Sequence, residues 1–448
     1  TLVLHNEASG NAAKTTPLVD EGTTTYSFDH VRLYNGAGLG FVPADVGLGS
    51  MDVSIGALVG DATETLTVSA GVRLSVPELS GVSASVLAGG ELIMPTDLVV
   101  DGGTLSVAGT LSGVQNLTVT DSGTLTVTGN LAAVQHLRAG RGASVDLKVS
   151  GGTAGASGQY DLSTLVIDGR DVVSPYTRNA MATLEDGVNV TASELAVTAG
   201  WLYVNGITHL NATTLLSVSS DGSIIGSSRS HTTDNQGPDS ARFTASTSYY
   251  SRVCCYTNYY YYHYAAGSHG GAAIKHAQQT GSEVEGTPYG STFEPVTVGA
   301  GTYERKGGAA LRVTADTLVL SGSIEVDGEG GATYGGGAGG SVWIVTRLLQ
   351  GASGGRISAQ GGDASTQYRP GGGGGRVALY CSTTTHAETW SGFSGLPTIS
   401  VNGGDIHTST ATGRRGGSGT AYVDCGAATR TLVLHNEASG NAAKTTPL

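Results

Sequence analysis

Residues Leu98–Gly109 read LVVDGGTLSVAG, residues Leu117–Gly129 read LTVTDSGTLTVTG, and residues Leu137–Gly151 read LRAGRGASVDLKVSG. Each is an alternating apolar strand, a glycine turn and a second alternating strand, and the starts lie 19 and 20 residues apart. Alternation with a period of two sends every second side chain to one side of a strand. A repeat near 20 residues stacks such strands coil upon coil, so the expected fold is all-β: a parallel β-helix, or β-solenoid, with Gly-rich turns. LTVSAGVRLSV at Leu66 and LAVTAGWLYVNG at Leu195 extend the pattern in both directions. A β-sandwich also has short strands and frequent turns. It does not make corresponding positions recur, whereas Asp101 of DGGTL and Asp121 of DSGTL are expected to hold the same turn position.

Upstream, FDHVRLYN (Phe28–Asn35) alternates and ends at the turn signal Asn35-Gly36. Downstream, two signatures alternate. One is a glycine pair before a strand: GGAALRV at Gly307, GGSVWIV at Gly339, GGRVALYC at Gly374 and GSGTAYVDC at Gly417. The other is a strand before a glycine turn: SIEVDGEGG at Ser323, RISAQGGD at Arg356 and TISVNGGD at Thr398, which makes Ile324, Ile357 and Ile399 equivalent at spacings of 33 and 42. Glycine at this density serves where φ must be positive or where two backbones approach closely. Gly375 precedes Cys381 by six residues and Gly419 precedes Cys425 by six. Equivalent strands of stacked coils lie about 5 Å apart, within disulfide range, so Cys381 is expected to bond Cys425. Cys254 and Cys255 are left as a vicinal pair or a bridge to another chain.

Composition agrees with a chain of strands and turns. Of 448 residues 71 are Gly, 13 % are charged and only five are Phe. A net charge of −13 spread without runs offers no basic stripe for a phosphate backbone, which excludes nucleic acid as an expected partner. No stretch of about 20 apolar residues is present to span a bilayer. The four cysteines and the sequons at Asn116, Asn189 and Asn211, candidate glycosylation sites, point to an oxidising, extracellular or cell-surface location.

The order GGGAGGSVWIV, GGRISAQGGD, GGGGGRVALY, GGSGTAYVDC, TLVLHNE resembles the glycine-rich repeat module of very large secreted or cell-surface proteins of microbes and protists. The resemblance covers about Gly267 to Leu448 and implies a parallel β-helix-like fold and an extracellular, non-catalytic role. The chain departs from that module at Ser246–Ala266, STSYYSRVCCYTNYYYYHYAA, which holds eight of the nineteen tyrosines. Tyrosine supplies apolar area with a polar tip, which suits a contact surface, so Tyr256, Tyr259, Tyr260, Tyr261, Tyr262 and Tyr264 are candidate interface residues in an inserted loop. The alternative is a cap over the solenoid's own face.

Residues 431–448 repeat residues 1–18, TLVLHNEASGNAAKTTPL, without a mismatch. The chain is therefore expected to cover one period of a tandem array and the start of the next, so a missing leader at Thr1 carries no information. The expected organisation is solenoid coils over 1–225, a loop-rich insertion with the Tyr/Cys segment over 226–306, Gly-rich coils over 307–430, and the next repeat from 431.

No catalytic residue and no cofactor is expected. Asp101 and Asp121, in Asp-x-Gly turns, are the nearest thing to a carboxylate pair, though such side chains commonly bind their own backbone. Asp327, Glu329, Asp363 and Asp405 follow equivalent strands and would be the place for Ca²⁺, without the spacing of a known calcium loop. His263, His269 and His276 read as loop residues rather than metal ligands. The threonines at 118, 120, 124, 126 and 128 resemble those of ice-binding solenoids, but Leu98–Gly109 lacks the Thr-x-Thr tract that a neighbouring coil would need. The expected function is a structural component of an extracellular filament, hair or sheath, its partners copies of itself joined end to end. A cell-surface adhesin binding glycan or protein is the alternative, and a polysaccharide-cleaving β-helix a third.

Overall fold

The computed structural model describes residues 2–5, 15–18, 25–41, 51–60, 63–79, 81–148, 150–153, 158–173, 176–230, 246–247, 260–261, 263–277, 283–302, 305–331, 335–351, 354–364, 370–384, 399–406, 415–425 and 431–433. Every helix or strand among them is a strand, and the sheets that stack successive coils are parallel: the chain is a parallel β-solenoid. It forms two compact units, Thr1–Tyr203 with Asn211–Ser217 and Val204–Leu210 with Val218–Leu448.

In the first unit the chain visits three faces in a fixed cyclic order. Asp97–Asp101, Asn116–Thr120 and His136–Ala139 lie on the first face, Thr104–Val107, Thr124–Val127 and Ser144–Leu147 on the second, and Thr110–Ser112 and Asn130–Leu131 on the third. Strict register stacks like on like. Leu98, Leu117, Leu137, Leu165 and Leu195 form one inward rank, Leu66, Ala84, Leu105, Leu125 and Val145 a second, and Leu74, Leu92, Leu111 and Leu131 a third, all buried. The period-two alternation thus becomes three apolar ranks that share one core, where a Leu→Ala change costs about 2–5 kcal/mol.

The turns between the first and second faces need the left-handed region, with Gly102 at φ 65° and Gly142 at φ 66°. Here one expectation is corrected. Asp101 pairs with Thr120 and Thr104 with Thr124, so the second turn is one residue longer. Asp101 closes its strand, whereas Asp121 sits inside the turn at φ 49°, a conformation that Asp tolerates better than most residues.

The second unit stacks Ala310–Leu320, Ser341–Gln350, Arg376–Thr384 and Thr420–Asp424 in parallel register. A second ladder holds Ser323–Glu325, Arg356–Ser358 and Ile399–Ser400, with Ile324, Ile357 and Ile399 directly in line. Between the ladders the glycine runs form neither sheet nor loop. The N–H groups of Gly336, Gly337, Ala338, Gly339 and Gly340 donate in turn to the carbonyls of Pro370 (3.0 Å), Glu329 (3.0 Å), Ala300 (2.9 Å), Gly373 (3.0 Å) and Val326 (2.7 Å).

The direction of these bonds repeats every three residues, as in an extended left-handed helix of the polyproline II type, which makes no hydrogen bonds of its own and so offers every N–H to neighbours. The run at 372–375 repeats the scheme, donating to Gly362 (3.0 Å), Gly267 (2.9 Å), Gly417 (2.9 Å) and Ala359 (2.7 Å). None of Gly336, Gly337, Gly339 and Gly340 has positive φ; glycine is required because a Cβ at any of them would land on a neighbouring carbonyl. The segments around Gly267–Ala273 and Gly299–Ala300, inside the expected insertion, supply one side of this bundle.

The copy of the opening segment at the end of the chain pairs differently from the opening itself. Leu2 and Val3 pair parallel with Val31 and Arg32, but their copies Leu432 and Val433 pair antiparallel with Tyr422 and Ala421, so they do not carry the parallel ladder forward. The reason is length: only six residues separate the two strands, and a parallel neighbour needs a crossover of roughly a dozen. The added strand covers an edge that would otherwise be open.

Candidate binding face

Register decides what the first unit shows outward. On its second face Thr65, Ser83, Thr104, Thr124 and Ser144 form one outward rank, and Thr67, Ser85, Ser106, Thr126 and Asp146 form the other. All ten are half-buried or exposed. Nine hydroxyls therefore lie in two columns, spaced about 4.8 Å along the stack and about 6.7 Å along each strand. Short and β-branched side chains have few rotamers to lose, and the parallel ladder beneath holds their Cα atoms in place. Each hydroxyl donates once and accepts twice, so the face can make hydrogen bonds of either sense. Across it the Thr104 N–H donates to Ser83 Oγ at 3.2 Å.

Apart from Asp146, the charges named here stand on the other faces and at the turns. On the third face Arg73 bridges Glu91 (2.8 Å) and Asp52 (3.5 Å). A hydrogen bond from Ser112 is the first cause holding the Glu91 carboxyl below its ordinary range. On the first face Asp97, Asn116, His136, Thr164 and Glu194 form an outward rank, with Arg138 bound to Asp168 (2.8 Å). Arg141 holds Asp121 at the turn. The Thr-x-Thr expectation is corrected accordingly: Thr118 and Thr120 lie on the first face, while Thr124 and Thr126 stack directly on Thr104 and Ser106 of Leu98–Gly109. Serine in place of threonine hid the continuity of the rank.

The other candidate residues fall as follows. Asn116, whose amide donates to Asp97, Asn189 and Asn211 all lie on strands, with Asn189 exposed. Tyr260 and Tyr261 pair antiparallel with Ser246–Thr247, and Tyr264 pairs with His276. Tyr256, Tyr259, Tyr262, Cys254 and Cys255 lie outside the described residues. Cys381 and Cys425 are joined by a disulfide with a Cα–Cα distance of 4.2 Å.

The acidic residues of the second unit are held one by one. Asp327 accepts from Ser358 Oγ and from the Gln360 N–H, both at 2.6 Å, and burial pushes its carboxyl up. Glu329 takes Arg305 (2.7 Å), and Asp363 accepts the Asp405 N–H (2.7 Å), while Asp405 itself takes Arg415 (2.7 Å). Among the described residues no three His, Cys, Asp or Glu side chains converge as metal ligands.

Two buried groups were not anticipated. Arg376 stands in register with Ala310, Ser341 and Thr420, one large cation in a rank of small residues. It donates to Tyr289 O (2.8 Å), Thr292 Oγ1 (2.7 Å) and Thr420 Oγ1 (3.1 Å). His269 contacts Gly339 O and Thr297 Oγ1, both at 2.8 Å, and burial pushes its imidazole down to about 3. The segment 289–297 thereby straps the rank, and Phe293 packs edge-on against Tyr422 at 4.9 Å. The odd residue out, Arg at 376 in the motif that has Ala, Ser or Thr elsewhere, was the one available signal in the sequence.

No protein-family model matches the chain, and no curated protein matches it. Among solved structures it is similar to the crystal structure of a TibC-catalysed hyper-glycosylated TibA fragment, at 11 % identity and a TM-score of 0.35, over 92 % of this chain and 96 % of that one.

Proposed function

We propose that this chain is a non-catalytic, cell-surface solenoid of the adhesin class, which makes contact through a flat outward face rather than through a pocket. The observation that carries the reading is the pair of outward hydroxyl ranks, held in register over five coils of the first unit. A parallel ladder fixes the spacing of such groups without any ligand, so the ordering cost of binding is met in folding. The disulfide between Cys381 and Cys425 fits an oxidising compartment outside the cytosol.

The test is direct. Beads coated with the folded chain should adhere to intact cells or extracellular matrix of the source organism, and an antibody against the chain should label cells without permeabilisation. Beads retained no better than uncoated ones, or labelling only after permeabilisation, would refute the reading.

A structural role in a filament is the second reading, favoured by the identity of residues 1–18 and 431–448. It predicts regular fibres in native material under the electron microscope, with an axial repeat below about 100 Å if coils of about 20 residues rise about 4.8 Å each.

A further inference from the structure

We infer that the second face of the first unit is a binding site for an extended, neutral polysaccharide; this deepens the surface reading above and rests on it. Three features of the face select that class. The first is charge. Over four successive coils the outward positions Thr65, Thr67, Ser83, Ser85, Thr104, Ser106, Thr124 and Thr126 carry none, and a carboxylate enters only at Asp146 on the fifth. The neighbouring faces of the same coils carry Arg73 with Glu91 on the third face and the exposed Asp97 and Asp101 on the first. A polyanion would find no cation here, and a charged partner of either sign would lose hydration without gaining a counter-charge.

The second feature is the side chains themselves. A protein-binding hot spot is built from buried aromatic residues and Arg, and these ranks hold neither. Serine and threonine hydroxyls both donate and accept, as sugar hydroxyls do, and the threonine methyl groups offer small apolar contacts to sugar C–H groups. The third is repetition. Each hydrogen bond made in exchange for one to water contributes little on balance, so one hydroxyl pair cannot hold a ligand. Nine hydroxyls in two columns bind usefully only a ligand that repeats its own hydroxyls along its length, because each further contact is then intramolecular. Neutral polysaccharides have that character; small neutral sugars do not, and they are expected to bind weakly.

The experiment is retention of the full chain on insoluble cellulose, chitin and β-1,3-glucan, with alginate gel as the acidic comparison. Wild type should be retained on at least one neutral polymer and not on alginate. Thr104→Lys and Thr124→Lys, which place a cation in mid-face, should each lower retention at least tenfold, Thr124→Ser should preserve it, and Thr110→Lys, outward on the third face, should leave it unchanged. Far-UV circular dichroism and melting curves that match wild type show that the variants fold.

Failure of wild type to bind any neutral polymer overturns the inference, and so does equal retention of the Lys variants. Binding to alginate alone overturns it in favour of an acidic glycan. Facetting of ice crystals by wild type, lost in Thr124→Lys, without retention on any polymer, overturns it in favour of a water lattice. Bead adhesion that persists while polymer retention fails rejects this inference and leaves the adhesin reading standing.

Discussion

His269 is a residue whose chemistry the fold changes strongly. Its imidazole falls from an ordinary 6.5 to about 3 because burial disfavours the charged form. The folded state therefore binds fewer protons than the unfolded state between those values. The stability gained from a neutral His269 is fully present above about 6.5 and is lost as pH falls toward 3, at up to about 1.4 kcal/mol per pH unit. The urea midpoint of wild type should fall between pH 6.5 and 4 more steeply than that of His269→Gln. Parallel curves would show that the imidazole does not titrate as its burial requires.

A second prediction at this scale concerns glycine. Gly372→Ala places a Cβ on the Gly337 carbonyl, whereas Gly354→Ala meets nothing nearer than Ser321 O at 3.7 Å. Gly372→Ala should cost about 3 kcal/mol or more, at the upper end of overpacking, and Gly354→Ala under about 1 kcal/mol. Equal costs would contradict the bundle. The sequence makes the density of glycine plain but leaves its two uses unseparated. Gly102 and Gly142 serve positive φ, while Gly336 to Gly340 serve close approach, and only the partners, up to 70 residues away in the case of His269 and Gly339, distinguish them. The partners of Arg376 were illegible for the same reason, although the residue stood out in its motif: its acceptors at 289 and 292 belong to a strap with no side-chain periodicity.

At the scale of elements, the strands were readable wherever side chains alternate over a fixed period. Leu98, Leu117 and Leu137 stack as their spacing requires, and so do Ile324, Ile357 and Ile399. The single-residue difference between the turns at Asp101 and Asp121 stood in the spacings, since Leu98 and Leu117 lie 19 apart but Thr104 and Thr124 lie 20 apart, and the shared Asp-x-Gly lettering masked it. Leu117→Ala, in the middle of an inward rank, should lower stability by about 2–5 kcal/mol in chemical denaturation, while Thr118→Ala, its outward neighbour, should change it by under about 0.5 kcal/mol. Similar losses at the two positions would mean that the strand does not present alternate faces. In the second unit the Cys381–Cys425 bond closes a separation of 44 residues. Reduction or Cys381→Ser should cost about 3–4 kcal/mol on the loop-entropy scale, seen as a lower melting temperature of the second unit.

At the scale of the whole molecule, both units rest on one device: near-equivalent segments stacked in parallel register, so that whatever one coil shows outward the next shows again. The device explains the inward leucine ranks, the outward hydroxyl ranks and the glycine bundle. It also explains why the proposed contact face was harder to read than the fold, since ranks spread over five coils leave no local motif in the chain. The most direct test is cross-linking of paired cysteines in the cysteine-free background. Thr104→Cys with Thr124→Cys places the two residues opposite one another on adjacent coils, about 5 Å apart, and mild oxidation should join them nearly completely. Thr104→Cys with Thr118→Cys, closer in sequence but on different faces, should stay reduced under the same conditions. A bond in the second pair and none in the first would contradict the solenoid.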